Sequence, residues 1–493
     1  LGANVVNTSI GKGIATNAYG FFSMTLPQGS TTLTCSFIGY EPVSKTFEGT
    51  RDEEWNVALT VQAVEMDAAE VVGTAGQNTQ STNLGKAEVA IATIQRLPAL
   101  MGEVDVLKAI QLLPGIQSAG EGNSGFYVRG GGPDQNLLLL DNAAIYNASH
   151  LFGFFSVFNA DAISNVEVYK GSMPARFGGR VSSVLDLGLR EGNRKEFKGS
   201  GGIGLISSRM TLEGPIQKGV SSFIVSARRT YIDVLTKPLI RNTSAAGSGY
   251  YFYDLNAKFN HRFSDKDEVF LSGYFGRDVF SFSSADAGFG ASIPWGNAMV
   301  STRWNHLVTD KLFLNVHGTF SNYEFSFQSG QDDFEFGFDS GVKDWSGKAQ
   351  LSWYPSLRHE VKGGVDYVFH EFVPTSFFFR QGDEEFDFGD AAVAYSHESS
   401  LYLEDGFDVS ERFRVNAGLR GSDFRHVGPF TRIIPGNSVL EPGDTVTYGA
   451  GELVQRYGGW EPRLSARLNV GSQSSVKAGY SINYQYVHLA SLS

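Results

Sequence analysis

From about Lys195 to Ser493, apolar and polar residues alternate with a period of two. In Tyr253–Arg262, Tyr253, Leu255, Ala257 and Phe259 alternate with Asp254, Asn256, Lys258 and Asn260. In Leu312–Ser321, Leu312, Leu314, Val316 and Phe320 share one face, and Asn315, His317, Thr319 and Ser321 the other. Phe413, Val415, Ala417 and Leu419 alternate with Arg412, Arg414, Asn416 and Arg420. Leu464, Ala466, Leu468 and Val470 alternate with Arg463, Ser465, Arg467 and Asn469, and Val476, Ala478, Tyr480 and Ile482 with Lys477, Ser481 and Asn483. This period predicts strands, longer than the average five or six residues. A soluble sandwich also alternates. The heavily charged polar face fits instead a water-filled lumen whose outer wall meets lipid. Lipid offers backbone groups no water, so such strands must close on one another. Roughly a dozen strands of barrel length fit into this part of the chain. Aromatic residues gather near strand ends, at Phe325 and Phe327, at Phe377–Phe379 and at Tyr484 and Tyr486, and are expected to form interfacial girdles.

Upstream the pattern changes. Residues 1–63 predict short strands and polar turns: Asn17-Ala18-Tyr19-Gly20 leads into Phe21–Leu26, and Pro27-Gln28-Gly29-Ser30 into Thr31–Ile38, where Leu33, Cys35 and Phe37 share a face. Residues 64–96 form a linker without aromatics, with a β-prone island at Glu70, Val71, Val72, Gly73, Thr74 and Ala75. Over Glu103–Leu113, Val106, Ile110 and Leu113 recur at helical spacing, and Pro114-Gly115 stops the helix. Within Gly122–Leu189 come a Gly-rich arginine turn, Val128-Arg129-Gly130-Gly131-Gly132-Pro133, and an apolar run ending in a turn, Leu137–Asn142. Two further blocks follow, Ile163–Gly171 and Pro174-Ala175-Arg176-Phe177-Gly178-Gly179-Arg180. Ser182–Leu187 reads as a mixed buried strand.

Composition narrows the function classes. A formal charge of −12 leaves nothing to neutralise phosphates, so no nucleic-acid partner is expected. Thirteen per cent aromatics and 58 glycines suit an all-β chain with many turns and not a disordered one. The single cysteine, Cys35, reads as a small core residue, and one cysteine allows no intrachain disulfide framework. No apolar run is long enough for a transmembrane helix, which says nothing against a barrel. Gly199-Ser200-Gly201-Gly202-Ile203-Gly204 fits a dinucleotide fingerprint literally, but a strand pattern follows it and no helix opens there. No Gly-x-Ser-x-Gly elbow and no His-Glu-x-x-His occur, and the nine histidines are scattered. Neither an enzyme nor a metal or other cofactor is expected. The acidic loops Gln331–Glu335 and Gly382–Asp387 read as solvated tips, with Ca²⁺ or a cationic ligand as the alternative.

The four blocks of Gly122–Leu189, in this order, resemble the plug domain of TonB-dependent outer-membrane receptors. Asn142 departs from the family's glycine in the Leu-Asp-Gly turn, and asparagine tolerates positive φ. Residues 1–63 resemble the carboxypeptidase-regulatory-like sandwich that precedes many receptors of the Bacteroidota, with its first strand missing. Glu70–Ala75 resembles the TonB box, which an energy transducer pairs with as an added strand. The resemblance implies an all-β-dominated fold with an N-terminal β-sandwich (1–63), a linker (64–96) and an α+β plug (97–194). The plug sits inside a large antiparallel transmembrane β-barrel (195–493). That barrel has 22 strands when complete, and the chain is expected to carry only part of it.

By the same resemblance, Arg129, Arg176 and Arg180 latch the plug to barrel carboxylates, the guanidinium fork matching a carboxylate. Ordinary weak surface pairs are the alternative. Gly130, Asp141, Glu167, Lys170, Gly171, Gly178 and Gly179 complete the latch and turn positions. The implied function is energy-coupled import across the outer membrane of a Gram-negative bacterium. The implied partners are a periplasmic TonB-type transducer, outer-membrane lipid and a surface lipoprotein lid or larger complex. Two alternatives stay open: a non-transporting plugged barrel that docks other components, and a secreted β-rich binding protein.

Overall fold

A computed structural model describes residues 82–89, 91–97, 101–120, 125–356, 358–382, 384–386, 393–434, 444–471 and 474–486, and, before them, 3–8, 12–16, 20–22, 24, 26, 29–37, 41–51 and 53–59. The TonB-box-like segment Glu70–Ala75 lies outside the described residues.

Near the N-terminus, Lys12–Ala15, Asn4–Asn7, Thr31–Ser36 and Val43–Phe47 form a four-stranded antiparallel sheet in that order. Alternation puts Leu33 and Cys35 in its core with Val5 and Phe47, and Trp55 packs on them. Phe37 lies past the end of its strand and is exposed, not on the inner face expected of it. The described residues of 21–26 form no strand.

The plug is a five-stranded sheet in the order Lys86–Val89, Ile163–Lys170, Ser183–Leu189, Asn136–Leu140 and Ala143–Ala144. Ser183–Leu189 is its buried centre, running parallel to Asn136–Leu140 and antiparallel to Ile163–Lys170. Leu185, Leu187 and Leu189 join the main core and Val184 packs on the other face with Tyr169. The helix spans Val106–Gln111, shorter than its apolar spacing predicts. Asp105 caps it, accepting the Lys108 amide at 2.9 Å, so Glu103 is left outside the helix and free to reach the barrel. Asp141 and Asn142 both take positive φ, 47° and 68°, in the turn after the apolar run.

Around the plug runs one fourteen-stranded sheet, from Lys198–Ile203 to Ser475–Ser481. All strands but one follow each other in sequence order; the short Glu384–Phe386 pairs off the path. The longest, Phe334–Ser356 and His359–Gln381, each have 23 residues. Connections at one end are tight, as at 310–311 and 409–412. At the other end lie the long connections, including the helix Ile232–Ile240 and the hairpin Phe430–Ile434 with Asp444–Tyr448, beside short turns such as 332–333. Short turns mark the periplasmic rim of such barrels and longer loops the outer one.

The wall is inverted relative to a soluble protein. Arg228, Asp254, Lys258, Asn260, Asp278, Arg420, Glu461 and Arg463 are buried on the inside. Leu255, Leu401, Leu403, Leu464 and Trp460 are exposed on the outside, Trp460 at 67% and Leu401 at 61%. An apolar surface of this size around a polar interior is stable only against lipid.

The aromatic expectation needs correcting. Outward-facing rings exist, among them Trp304 and Trp353. Phe325 and Phe327, however, face the lumen: they share the parity of the buried His317 and Ser321. Phe325 is paired with the inward Trp295. Phe377 and Phe379 stand opposite Phe338 and Phe336 on the same inner wall. Tyr486 also points inward, its hydroxyl 2.7 Å from that of the buried Ser422.

Candidate functional site

The plug meets the barrel through charges that neither body could bury alone. The densest group lies at the plug's apex. His150, in the short strand Ser149–His150 that follows the irregular run 146–148, enters a slot between two barrel carboxylates. Its Nδ1 is 2.6 Å from Asp278 and its Nε2 3.2 Å from Asp254. The ring stacks on Phe252 with centroids 4.0 Å apart. Asp278 also accepts the Leu151 amide at 3.0 Å and the Tyr250 hydroxyl. Asp254 pairs with Arg228 at 2.7 Å, and Arg228 reaches the plug's Glu103 at 3.3 Å and donates to the Ser156 carbonyl at 2.8 Å. Ser207 donates to the other Glu103 oxygen. Burial opposes a charge on His150, but the flanking Asp278 and Asp254 raise its pKa above the ordinary imidazole value.

A second contact holds the turn after the apolar run. Lys258 lies 2.9 Å from Asp141 and donates to the Leu189 carbonyl at 2.9 Å. Burial works against the Asp141 charge, yet Lys258 and Arg303 hold its pKa below the usual carboxylate value. Asp141 also accepts the Leu189 amide at 3.0 Å, tying turn, central strand and wall together.

A third contact is built on residues 173–180. Arg463 donates from one nitrogen to the carbonyls of Pro174 and Phe177 at 2.6 and 2.7 Å. Arg463 pairs with Glu461 at 2.7 Å. Arg420 pairs with Asp366 at 2.8 Å and reaches the Ala175 carbonyl at 3.3 Å. Lys348 donates to the Arg176 carbonyl at 2.9 Å. Barrel cations thus grip plug backbone carbonyls. In the opposite sense, Glu404 accepts the Ala175 amide at 2.7 Å.

The sequence-named residues fall into two groups. Arg176 reaches the wall, 3.6 Å from Glu404, and donates to the Tyr169 hydroxyl at 2.8 Å. Asp141 reaches it through Lys258, and Gly178 faces Arg420 so closely that a Cβ there would lie 2.7 Å from the guanidinium carbon. Gly179, at φ 76°, sits beside Glu398. The others act within the plug. Arg129, at φ 50°, threads its guanidinium between Gly85 and Gly171, where added Cβ atoms would be 2.9 and 2.6 Å from its nitrogens. Gly130 takes φ 87° in the same turn. Lys170 donates to the Pro114 carbonyl at 2.7 Å, and Glu167 pairs with Lys86 at 3.2 Å. Arg180 donates to its own neighbour, the Gly179 carbonyl, at 2.7 Å and makes no ion pair among the described residues.

Sequence reasoning missed His150, Glu103 and the wall charges that answer them. The inward parity of Arg228, Asp254 and Lys258 was a usable signal for the wall. His150 lies in a two-residue strand with no period to read. Among the described residues no group of three or more metal-ligating side chains gathers.

A model of the TonB-dependent Receptor Plug Domain matches residues 85–183, and one of the CarboxypepD_reg-like domain matches residues 1–72. No curated protein matches the chain. Among solved structures, the copper transporter OprC is similar with a TM-score of 0.59 at 12% identity, over 81% of this chain and 64% of that one. The siderophore receptor PirA from Acinetobacter baumannii gives 0.57 at 17%, over 84% and 62%. A double mutant of the Serratia marcescens hemophore receptor HasR, in complex with its hemophore HasA and heme, gives 0.56 at 11%, over 84% and 65%. The chain therefore spans just under two thirds of the length of these proteins. At such identities the likeness is one of fold.

Proposed function

We propose that the chain, which carries a TonB-dependent receptor plug domain and a CarboxypepD_reg-like domain and has the fold of the plugged receptor barrels, imports a substrate across the outer membrane by energy-coupled movement of the plug. The observation that carries this reading is the chemistry of the plug–wall interface. Apolar contacts between plug and wall exist around Phe155 and Phe252, but charged and polar contacts run beside them. Here Arg228, Lys258, Arg420 and Arg463 on the wall meet carboxylates and carbonyls of the plug. Water can replace each of these partners once it enters, so a directed pull can exchange the contacts in turn.

In this reading Arg176, Asp141 and His150 are latches between the two bodies, and Arg129, Glu167 and Lys170 keep the plug whole while it moves. The linker segment Glu70–Ala75 pairs with a TonB-type transducer as an added strand, a mode in which backbone hydrogen bonds carry the affinity. Ligand binds on the outer side, a surface lipoprotein lid being a further partner there. No covalent chemistry enters the cycle.

Deletion of residues 67–75 in the full protein tests the proposal. Uptake of candidate nutrients is expected to stop while the barrel still folds, read as heat-modifiable mobility on gels. Unchanged uptake with loss of an outer-membrane partner complex would favour a docking role instead.

A further inference from the structure

From the plug's apex up the inner wall runs a row of aromatic rings that takes no part in the ion pairs. It starts at Phe152, beside the apical His150. Leu151 and Phe152 both take positive φ, 49° and 52°, which side-chain-bearing residues seldom do. The outcome is that Phe152 stands 56% exposed, pointing out of the plug, with its ring 4.9 Å from Trp295. Trp295 is the register partner of Phe325. From there the path climbs: Phe325 to Phe338 at 5.9 Å, Phe338 to Phe377 at 5.7 Å, and Phe377 to Phe336 at 6.0 Å. It is continuous with the plug–barrel core of Phe155, Tyr250 and Phe252, to which Phe325 belongs. The upper rings stay open, with Phe377 51% and Phe336 40% exposed.

The chemistry of this wall selects its occupant. Phenylalanine brings area and a negative ring face but no hydrogen-bond group. At the outer ends of these strands the turn residues Asp332 and Asp333 and the exposed Glu384, on the same face as Phe386 opposite Phe379, are acidic, while Arg380, the one cation of 324–339 and 373–386, is turned to the outer face with Glu335. An anionic ligand is repelled there, and the rings themselves offer a sugar no hydrogen bonds. The six steps of strand from Phe325 to Gln331 cover about 20 Å, too long for a single aromatic group and about the span of a six-residue extended peptide.

We propose that this wall is a binding site for a short cationic peptide with aromatic or aliphatic side chains, laid from the strand tips down to Phe152. The proposal rests on the receptor reading for its direction of approach. It also gives Phe152 a purpose: an occupant touching that ring touches the residue next but one to His150, so it bears on the apical latch directly.

The test is equilibrium binding to the full protein in outer-membrane vesicles, with no energy source, so that it does not depend on import. The probe is a fluorescein-labelled hexapeptide alternating lysine and phenylalanine; the competitors are its glutamate–phenylalanine counterpart and maltohexaose. Saturable binding of the cationic peptide is expected, weakened at least tenfold by Phe338→Ala with Phe377→Ala and by Phe152→Ala alone, each ring being worth about a factor of ten. Phe378→Ala, on the outer face of the same strand, controls for folding and is expected to leave binding unchanged. No binding by the wild type, equal binding of the glutamate peptide or maltohexaose, or binding indifferent to the inner-wall changes would overturn the proposal. Loss of uptake on deleting residues 67–75 with no peptide binding would sink this inference and leave the receptor reading standing.

Discussion

Replacing His150 with alanine should loosen the plug's apex without unfolding the barrel. The imidazole is 1% exposed, within 2.6 Å of Asp278 and 3.2 Å of Asp254, and stacked on Phe252. Removing one member of a buried ionic group usually costs about 3–5 kcal/mol, because the partner charges stay buried. Both carboxylates keep other partners: Asp254 has Arg228, and Asp278 has Tyr250 and the Leu151 amide. The expected cost therefore falls at the low end, about 3 kcal/mol, or roughly a hundredfold rise in the open population. Native-state hydrogen exchange of the amides of 143–156 reads this directly. His150→Phe keeps the stacking and drops the charge, and should recover only a minor part, about 1 kcal/mol. The pH dependence follows in sign. A histidine whose folded pKa is raised contributes its full stabilisation below about pH 6.5, and loses it as pH rises through the raised value. After correction for intrinsic exchange, wild-type protection should fall as pH rises past about 6.5 while that of His150→Ala stays flat. Exchange at 143–156 within threefold of wild type, or the same pH slope in both proteins, would refute the latch.

Gly178→Ala should push Arg420 off its place, since the new methyl would lie 2.7 Å from the carbon of a guanidinium whose Nη1 is fixed 2.8 Å from Asp366. The expected cost is about 1–3 kcal/mol, seen as faster proteolysis of the plug in the folded barrel. Asp186→Asn should stabilise the plug by about 1 kcal/mol at pH 8. Burial and the Glu167 carboxylate directly opposite it raise the Asp186 pKa to about 6. The penalty therefore appears as pH rises through that value, and the gain in the variant should vanish below about pH 4 by the same hydrogen-exchange measurement. Asn142→Val should cost about 1–2 kcal/mol and Asn142→Gly about nothing, because φ is 68° there and a branched Cβ clashes with the left-handed backbone.

Which parts of this molecule could be read in advance depends on how local their cause is. The inverted wall was legible because alternation is decided within each strand: Asp254, Asn256 and Lys258 take the face opposite Leu255 whatever their neighbours do. The plug's turns were legible for the same reason, since the positive φ of Gly130, Asp141 and Gly179 is a local backbone matter. The partners of the wall charges were not. Arg228 meets Asp254 only because the strands Ser221–Thr230 and Gly249–Arg262 pair in one register, and His150 meets both carboxylates only once the plug is threaded. The misplaced aromatic residues divide along this same line. Counting on from His317 and Ser321 at a step of two already puts Phe325 and Phe327 inside, so that assignment was available. Phe377 and Phe379 were beyond such counting. The buried Phe372 sets an even inward parity for its strand, and the register then slips between the pairs Gly341–Val373 and Asp339–Ser376, leaving two residues opposite one. Pro374 lies in that slip, where a missing amide is harmless. The irregularity turns two rings from lipid to lumen, and without it the upper half of the phenylalanine path would face the membrane and leave Phe152 looking at a bare wall.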